Sequence, residues 1–258
     1  MPILSPEISV LNKICEKVSK VIIRDFGEIE KLQVSKKGPG DFVTKTDKKV
    51  EKIIIEDLEK ARPNYGFIAE ETGEKKTDSE FNWVIDPIDG TSNFMHGIPH
   101  FAISIGLEKN GKIIAGIICD PIKNETFYAE KGRGAYVNNR RIRVSKRKNF
   151  DEMIGLYGCP PLISKDNKIF EQLNKGSKKI HKLRNFGSAA LDFAYVASGR
   201  ADFAWYDHLN YWDYAAGIVI LLEAGGTITN YQGKEFKGQH ETFISNSSKH
   251  DEIIEVLF

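Results

Sequence analysis

The chain has 258 residues, of which 41% are hydrophobic and 28% charged, a mixture typical of a folded globular protein with a sizeable core. This composition excludes intrinsic disorder and fibrous repeats. The 37 basic and 36 acidic residues give a net charge of +1, so no overall field favours nucleic acid or an anionic membrane as the main partner.

The cysteines and the apolar runs indicate the compartment. Cys15, Cys119 and Cys159 are far apart with no CxxC pair, so we expect a reducing compartment, no disulfide and no zinc site, with Cys159 buried. The N-terminus lacks a basic start followed by a continuous apolar run. The longest apolar run, residues 215–222, is far shorter than the roughly 20 residues that span a bilayer. We therefore expect a cytoplasmic protein without membrane association.

The first third of the chain predicts two helices and two strands. Apolar residues at helical spacing predict amphipathic helices over about 8–22 and 50–61, with Asp47 as the N-cap of the second. Two short apolar runs follow, YGFIAEE at 65–71 and FNWVIDPIDGT at 81–91. Both have the character of strands that end abruptly in acidic residues.

The middle of the chain predicts an antiparallel meander. Asn110-Gly111 and Asn138-Asn139 separate β-rich runs and are typical of tight hairpin turns. Charge replaces periodicity in SKRKNFDEM, so we expect two subdomains, 1–148 and 149–258. Beyond this point short strands alternate with helices, which are predicted near 166–175, from Ser188 and from Asp213.

Acidic residues stand at the ends of several predicted elements, and the ends of strands are where mixed α/β proteins place ligands. Taken singly, each acid has an ordinary structural explanation: Asp86 and Asp89 as a capped turn with solvated carboxylates, Asp47 and Asp213 as helix N-caps, and Glu70-Glu71 as the polar edge of a strand. Together they would repel one another unless a cation neutralised them, and oxygen ligands without nearby His or Cys favour Mg²⁺ or Mn²⁺ over zinc. The acids are Asp41, Asp47, Glu70, Glu71, Asp86, Asp89 and Asp213.

The segment DPIDGT, residues 86–91, combines groups for metal and anion binding. The carboxylates of Asp86 and Asp89 could bind two neighbouring ions, with the Ile88 carbonyl as a further ligand. Gly90 permits close backbone approach, and Thr91 offers a hydroxyl and an amide near a predicted helix start, where phosphate is favoured.

Four blocks of the sequence resemble the inositol monophosphatase family of magnesium-dependent, lithium-sensitive phosphatases. The blocks are GDFVTKTDKKVE, GFIAEETG, WVIDPIDGTSNFMHGIPHFAISIGL and WDYAAGIVILLEAGG, in the family's order from about residue 30 to about residue 250. The resemblance implies a mixed α/β fold of layered α-β-α-β-α type, as in inositol monophosphatase and fructose-1,6-bisphosphatase, and a homodimer. It also implies hydrolysis of myo-inositol monophosphate to inositol and phosphate.

The resemblance implies a role for each matching residue. Glu70, Asp86 and the carbonyl of Ile88 would hold a first Mg²⁺, and Asp86, Asp89 and Asp213 a second; a third, weaker ion is often seen near the glutamate. The catalytic residues would be Glu70 and the pair Thr91 and Asp47, which helps to activate a water nucleophile. Lys36 matches a position in a loop that approaches the site. The substrate-binding residues would be Asp89, Gly90, Thr91, Gly187, Ser188, Ala189 and Asp213.

One position departs from the family pattern. Many members carry a glutamate seven residues before the WD aspartate, where it binds a substrate hydroxyl, and this chain has Tyr206. Asp207 is one residue late, and a one-residue slip on a strand turns a side chain to the opposite face. The alcohol specificity is therefore the open part of the prediction.

Several alternatives stay open at this point. The same chemistry could act on histidinol phosphate, fructose 1,6-bisphosphate or a 3′-phosphorylated nucleotide, with Tyr206 and Tyr211 either stacking on a ring or packing around a loop. An aspartyl-phosphate route on Asp86 lacks the Asp-x-Asp spacing of that class. A non-enzymatic alternative is RNA or protein binding through RRIRVSKRKN, residues 140–149, which is otherwise a solvated hairpin.

Four other polar residues can be explained by a structural role as well as by a functional one. We interpret His96 and His100 as loop or packing residues, because a carboxylate-rich metal site does not need them. Asp192 and Arg200 resemble positions near the family's substrate region and subunit interface, and a structural salt bridge explains them equally well.

Overall fold

The protein is described from a computed structural model. It covers residues 4–28, 34–38, 41–159, 168–238 and 240–258, and for 34–38 and 41–44 it gives the backbone alone. The helices in this part of the chain are α1 (Pro6–Phe26), α2 (Lys45–Ala61), α3 (Thr91–Met95), α4 (Lys168–Ser177), α5 (Ala189–Ala197), α6 (Tyr211–Glu223) and α7 (His250–Leu257).

The strands form one large sheet, one smaller sheet and a separate hairpin. Their bounds are β1 (Val34–Gly38), β2 (Asp41–Thr44), β3 (Gly66–Ala69), β4 (Gly73–Lys75), β5 (Phe81–Asp89), β6 (Ala102–Lys109), β7 (Lys112–Asp120), β8 (Glu125–Glu130), β9 (Gly134–Val137), β10 (Arg140–Arg141), β11 (Ile154–Tyr157), β12 (Lys182–Arg184), β13 (Phe203–Asp207), β14 (Thr227–Thr229) and β15 (Glu241–Ser245).

Within the described residues the large sheet has eight strands in the order β10-β9-β8-β7-β6-β5-β3-β4. All neighbours are antiparallel except β3 and β5, which run parallel, so the predicted antiparallel sheet contains one parallel pair. The smaller sheet has the order β12-β11-β13-β15-β14, with β11 parallel to both its neighbours. Strands β1 and β2 pair only with each other among the described strands.

Three apolar clusters join these elements into five layers. One cluster buries the inner faces of α1 and α2 on the large sheet, through residues such as Leu11, Ile54 and Ile105. A second fills the space between the two sheets around α5 and α6, and a third covers the outer face of the smaller sheet beneath α4 and α7. The layered α-β-α-β-α fold predicted from the sequence is confirmed.

Most of the element boundaries predicted from the sequence agree with the structure. Asn110 and Gly111 both have positive φ angles, 49° and 75°, as the tight turn between β6 and β7 requires, and Asn138 and Asn139 do the same between β9 and β10. The predicted cap at Asp47 is wrong: α2 begins at Lys45, so Asp47 lies in its first turn and is buried. None of the helices that the structure describes is long and apolar enough to cross a bilayer.

Candidate active site

Glu70 and Asp86 are brought together by the one parallel strand pair of the large sheet. Ala69, the last residue of β3, pairs with Ile85 of β5, and the Glu70 amide donates to the Ile85 carbonyl at 3.2 Å. The carboxyl ends of both strands therefore meet at the same edge, with Glu70 beside Asp86. Glu70 is half-buried, whereas Asp86 is only 2% exposed.

A bulge at the end of β5 turns Asp89 toward the same point. The register of β5 against β6 shifts between the pairs Asp86–Ser104 and Asp89–Ala102, so three residues span the space of two. Pro87 lies inside this bulge and has no N–H to donate to a regular ladder. A disturbance of the ladder is thus encoded by the sequence, and it places two acids three residues apart at one site.

Asp213 reaches the cluster from the other half of the chain. It lies in the first turn of α6, where its Oδ2 accepts a hydrogen bond from the Asn210 amide at 2.7 Å in a capping box. Carboxylate oxygens of Asp86, Asp89 and Asp213 all lie within 4.8 Å of one another. Asp213 is therefore a helix-capping residue and a member of the acidic cluster at once.

The electrostatics of the cluster are unfavourable as it stands. Burial raises the pKa of Asp86 well above its usual range, and the neighbouring charges of Glu70, Asp89, Asp213 and Asp47 raise it further. One Asp86 oxygen is buried without a hydrogen-bond partner. These oxygens fit a small hard cation, which would relieve the repulsion and satisfy the buried oxygen.

Asp89 is held in place by the start of α5. Burial raises its pKa to about 6, although the hydrogen bonds it accepts act in the opposite direction. It accepts these bonds from the Ser188 hydroxyl, the Ala189 amide at 3.3 Å and the Ala190 amide at 2.8 Å. The start of α5 therefore serves to orient a carboxylate of β5.

Two acids of α2 face the site one helical turn apart. Asp47 contributes to the charge that surrounds Asp86. Glu51 is buried and accepts hydrogen bonds from the amides of Glu71 and Thr72, both at 2.8 Å, and from the Thr72 hydroxyl. Glu51 thus fixes the turn after β3 that carries Glu70. Sequence reasoning missed Glu51, although its spacing of four residues from Asp47 was a usable signal.

The backbone after β5 is tightly constrained. Gly90 has a φ of 94°, and a Cβ there would lie 3.1 Å from the His100 carbonyl oxygen and 3.2 Å from that of Gly187. Only glycine fits this close approach without strain. The hydroxyl of Thr91 donates to the Ile88 carbonyl at 2.9 Å, which orients two of the predicted site residues toward each other.

A cavity of about 300 Å³ opens beside the acidic cluster. Asp89 and Asp213 line it, together with Gly187, Ser188 and Ala189. Asn93 holds this wall in position, because its amide nitrogen donates to the carbonyls of His100 at 2.8 Å and Phe186 at 2.7 Å. Asn93 is a second supporting residue that sequence reasoning missed.

Tyrosines 206 and 211 differ in where the structure places them. Tyr206 lines the 300 Å³ cavity, and its hydroxyl donates to Asp192 Oδ2. Tyr211 donates to Glu108 and lines a separate cavity of about 750 Å³ on another face of α6. Tyr211 therefore packs around the loop, one of the two interpretations left open.

Several other predicted residues have clear positions. His100 packs against the rings of Phe186 and Tyr195, as expected of a packing residue, and His96 Nδ1 lies 2.8 Å from the Ser92 carbonyl oxygen. Arg200 forms a two-pronged ion pair with Glu125. The expectation that Cys159 is buried is wrong, because its side chain is exposed on the cavity wall.

The side chains of Lys36 and Asp41 lie outside the described residues. The thiols of Cys15 and Cys119 are buried, unbridged and close enough to hydrogen-bond each other.

Comparison with known proteins agrees with the fold. A model of the inositol monophosphatase family matches residues 3–257. The chain belongs to the inositol monophosphatase family, and it is a phosphoric monoester hydrolase by class.

Two relatives and one solved structure illustrate the likeness. An inositol-1-monophosphatase of Caulobacter vibrioides is 44% identical over 93% of this chain and 96% of its own length. A fructose-1,6-bisphosphatase/inositol-1-monophosphatase of Thermotoga maritima is 39% identical over 95% of this chain and 93% of its own length. The crystal structure of the extragenic suppressor protein suhB from Bartonella henselae superposes with a TM-score of 0.95, at 42% identity over 98% of both chains.

Proposed function

We propose that the chain hydrolyses myo-inositol monophosphate to inositol and phosphate in a Mg²⁺-dependent reaction. The observation that carries the proposal is the meeting of Asp86, Asp89 and Asp213 within 4.8 Å, with Asp89 and Asp213 lining a cavity of about 300 Å³. Family membership and relatives with inositol-1-monophosphatase activity in their names support the substrate.

The acidic cluster would hold the ions. Glu70, Asp86 and the Ile88 carbonyl would bind a first Mg²⁺, and Asp86, Asp89 and Asp213 a second, with a third and weaker ion near Glu70. All of these donors are oxygens, which suits Mg²⁺, with Mn²⁺ as a substitute. When bound, such ions neutralise phosphate charge and lower the pKa of a coordinated water.

The remaining residues would position the reactants. The Thr91 hydroxyl would accept the proton of the attacking water and release its own proton to Asp47, turning for this step from the Ile88 carbonyl to which it donates in the structure. The amides of Gly90 and Thr91 would donate to phosphate oxygens, and Gly187, Ser188 and Ala189 would line the substrate cavity. The Ser188 hydroxyl also donates a hydrogen bond to Asp89, and this bond would hold the carboxylate in position within the acidic cluster.

Phosphate release from D-myo-inositol 1-phosphate, measured with and without Mg²⁺, tests the proposal. We expect activity that disappears with EDTA, returns with Mg²⁺ or Mn²⁺, and falls on addition of Li⁺. Histidinol phosphate, fructose 1,6-bisphosphate and a 3′-phosphorylated nucleotide complete the substrate panel. A phosphorylated Asp86 trapped during turnover would contradict direct attack by water.

We also propose the predicted subdomains, 1–148 and 149–258, as halves of one unit, because the apolar cluster between the sheets draws on both. We also propose a homodimer, which the resemblance to the family implies. Light scattering should give a mass near twice 29.1 kDa. The cytoplasm remains the compartment that we propose.

A second candidate function is RNA binding at the basic segment 140–149. Arg143, Lys146 and Lys148 line an open groove of about 680 Å³, and none of the three is in an ion pair among the described residues. Arg147 in the same groove is held by Asp202 and is structural. Since concentrated cations bind phosphate backbones, this groove could act alongside catalysis.

Binding of a fluorescent single-stranded RNA over a salt series tests this second candidate. Reversing the charge of Arg143, Lys146 and Lys148 to Glu should weaken binding and reduce the salt slope by about 2, at about 0.7 per phosphate contact. Phosphatase activity should be unchanged. Equal binding by the triple variant, or no binding by the wild type, would refute RNA binding at this groove.

A further inference from the structure

We propose that the cavity of about 750 Å³ beside Tyr211 is a second ligand site. It would take a small organic anion with an apolar body and one carboxylate, sulfonate or phosphate group. The volume lies within the roughly 300–1,000 Å³ that is usual for small-molecule sites. Among the described residues this cavity and the 300 Å³ cavity share no lining residue, so the inference does not depend on the proposed phosphatase function.

One face of α6 forms an apolar stripe along the cavity. Tyr211, Tyr214, Ile218 and Leu222 follow one another at intervals of three or four residues, which places them on the same side of the helix. Tyr214 is buried, whereas Leu222 is 50% exposed and leaves apolar surface in contact with water. Covering that surface with the apolar body of a ligand would be favourable.

Three aromatic rings of the wall pack edge to face. The ring centroids of Tyr211 and Tyr214 are 5.5 Å apart, and those of Tyr214 and Phe236 are 5.2 Å apart. Phe236 belongs to the segment between β14 and β15. In the same segment, a Cβ on Gly238 would lie 3.1 Å from the Tyr214 hydroxyl oxygen. The helix and this segment therefore pack closely, and the rings hold each other in position beside the cavity.

Two glutamates of the wall already have partners within the protein. Glu108 accepts hydrogen bonds from the Tyr211 hydroxyl and from Asn82 Nδ2, the latter at 3.2 Å. Glu235 forms an exposed ion pair with Lys237 at 3.4 Å. The carboxylates of both residues are thus compensated by donors of the chain itself.

The third glutamate of the wall, Glu223, ties the end of α6 to the turn between β8 and β9. Its two oxygens accept hydrogen bonds from the amides of Gly132 and Gly134, both at 2.7 Å. Both oxygens are therefore engaged, and the turn is fixed against the helix. This side of the cavity is held by hydrogen bonds between elements of the fold.

Lys112 and Lys131 supply the unused donors of the wall. The Lys131 amide donates to the Ile114 carbonyl at 2.8 Å, and Lys112 is the first residue of β7, so both lysines lie at the same end of the large sheet. Both are exposed, and neither forms an ion pair within the described part of the chain. An ammonium group can only donate, so the matching ligand group is an anionic acceptor.

Binding of 8-anilino-1-naphthalenesulfonate, a fluorescent probe that joins aromatic rings to one sulfonate, tests the site. We expect saturable binding of one probe per chain, unchanged by D-myo-inositol 1-phosphate with Mg²⁺. Decanoate and indole-3-acetate serve as competitors with an aliphatic and an aromatic body. We expect at least one of them to displace the probe, and their relative strength identifies which kind of body fits.

Two pairs of lysine substitutions locate the sulfonate. Lys112→Gln combined with Lys131→Gln should weaken probe binding by about tenfold, because two exposed charges are lost. Lys20→Gln combined with Lys178→Gln, at exposed positions outside the cavity, is the matched control and should leave binding unchanged. The uncharged analogue N-phenyl-1-naphthylamine should not respond to either pair.

A second substitution locates the apolar body. Leu222→Asn should weaken binding of both probes by about threefold or more, whereas Phe170→Asn, at a similarly exposed position on α4, should leave both unchanged. The proposal is overturned if the wild type does not bind the sulfonate probe, if inositol 1-phosphate displaces it, or if neither competitor does. Equal affinity in the two lysine double variants, or in Leu222→Asn and Phe170→Asn, would also overturn it.

Discussion

Two regions of the molecule bury aspartates in opposite ways. Asp202 is 0% exposed, and the chain supplies everything its carboxylate needs: Arg147 Nε at 2.9 and 3.0 Å, the Ile154 amide at 2.8 Å, and the side chains of Ser145 and Asn246. Asp86 and Asp89 are buried beside each other and a third acid. Neither forms an ion pair with a Lys or Arg of the described chain.

The difference shows what each region is built to do. A buried carboxylate costs several kcal/mol unless a cation and hydrogen bonds compensate it. At Asp202 the compensation is internal, which locks the segment 145–147 to the smaller sheet. At Asp86 and Asp89 the carboxylate oxygens are brought together without a cation from the described chain. The cost of burying them must therefore be offset by a bound metal ion or by protonation.

The largest expected effect is a loss of activity on substitution in the acidic cluster. Asp89→Asn should lower phosphate release by more than about 100-fold, beyond the usual cost of losing a supporting partner of a metal ligand. The fold should be kept, because the substitution removes a repulsive charge and the amide oxygen can still accept from Ala190. Circular dichroism and a phosphate assay check this, with the surface variant Asp57→Asn as control. Near-normal turnover in Asp89→Asn would remove the cluster from the mechanism.

The next largest expected effect is a loss of stability on substitution of Asp202. Asp202→Asn leaves Arg147 without its counter-charge and should lower the free energy of unfolding by about 2–3 kcal/mol, less than a fully buried pair would lose because Arg147 is 34% exposed. Activity per folded molecule should be unchanged. Urea unfolding measures the loss, and a variant as stable as the wild type would show that the Asp202 network is dispensable.

The smallest expected effect concerns the half-buried imidazole of His100. Burial, and then the charge of Lys123, lowers its pKa to about 4. The unfolded chain therefore takes up this proton more readily than the folded one, so stability falls as pH drops from about 6.5 toward 4. His100→Gln should reduce that loss by about 1 kcal/mol, since one unit of pKa is worth about 1.4 kcal/mol and solvent screening of this partly exposed ring cuts the full value. Urea unfolding at pH 7 and 4.5 measures it, and parallel pH dependences would contradict the assignment.

Much of the fold was predictable because its signals are local. Helical spacing gave α1 and α2, and the Asn-Gly and Asn-Asn turns gave the meander. The acids at strand ends predicted a cluster, since β3 and β5 carry Glu70 and Asp86 to one edge. What a single sequence could not give is the parallel pairing of β3 with β5, which depends on long-range contacts.

The supporting interactions of the site were not predictable in the same way. Asp47 has the residue type of an N-cap, yet α2 begins two residues earlier, so Asp47 is buried in the first turn, where its charge acts on Asp86. The bonds from Ser188 to Asp89 and from Tyr206 to Asp192 join residues 99 and 14 positions apart. Cys159 lies at the end of β11 on a cavity wall, which its apolar neighbours in the sequence did not indicate.

Titration of the purified protein with Mn²⁺, followed by electron paramagnetic resonance of the free ion, tests the central claim most directly. We predict saturable binding by the wild type, competition by Mg²⁺, and loss of at least one site in Asp86→Asn, while Asp202→Asn binds normally. Equal Mn²⁺ binding by the wild type and Asp86→Asn, or none by either, would contradict the account.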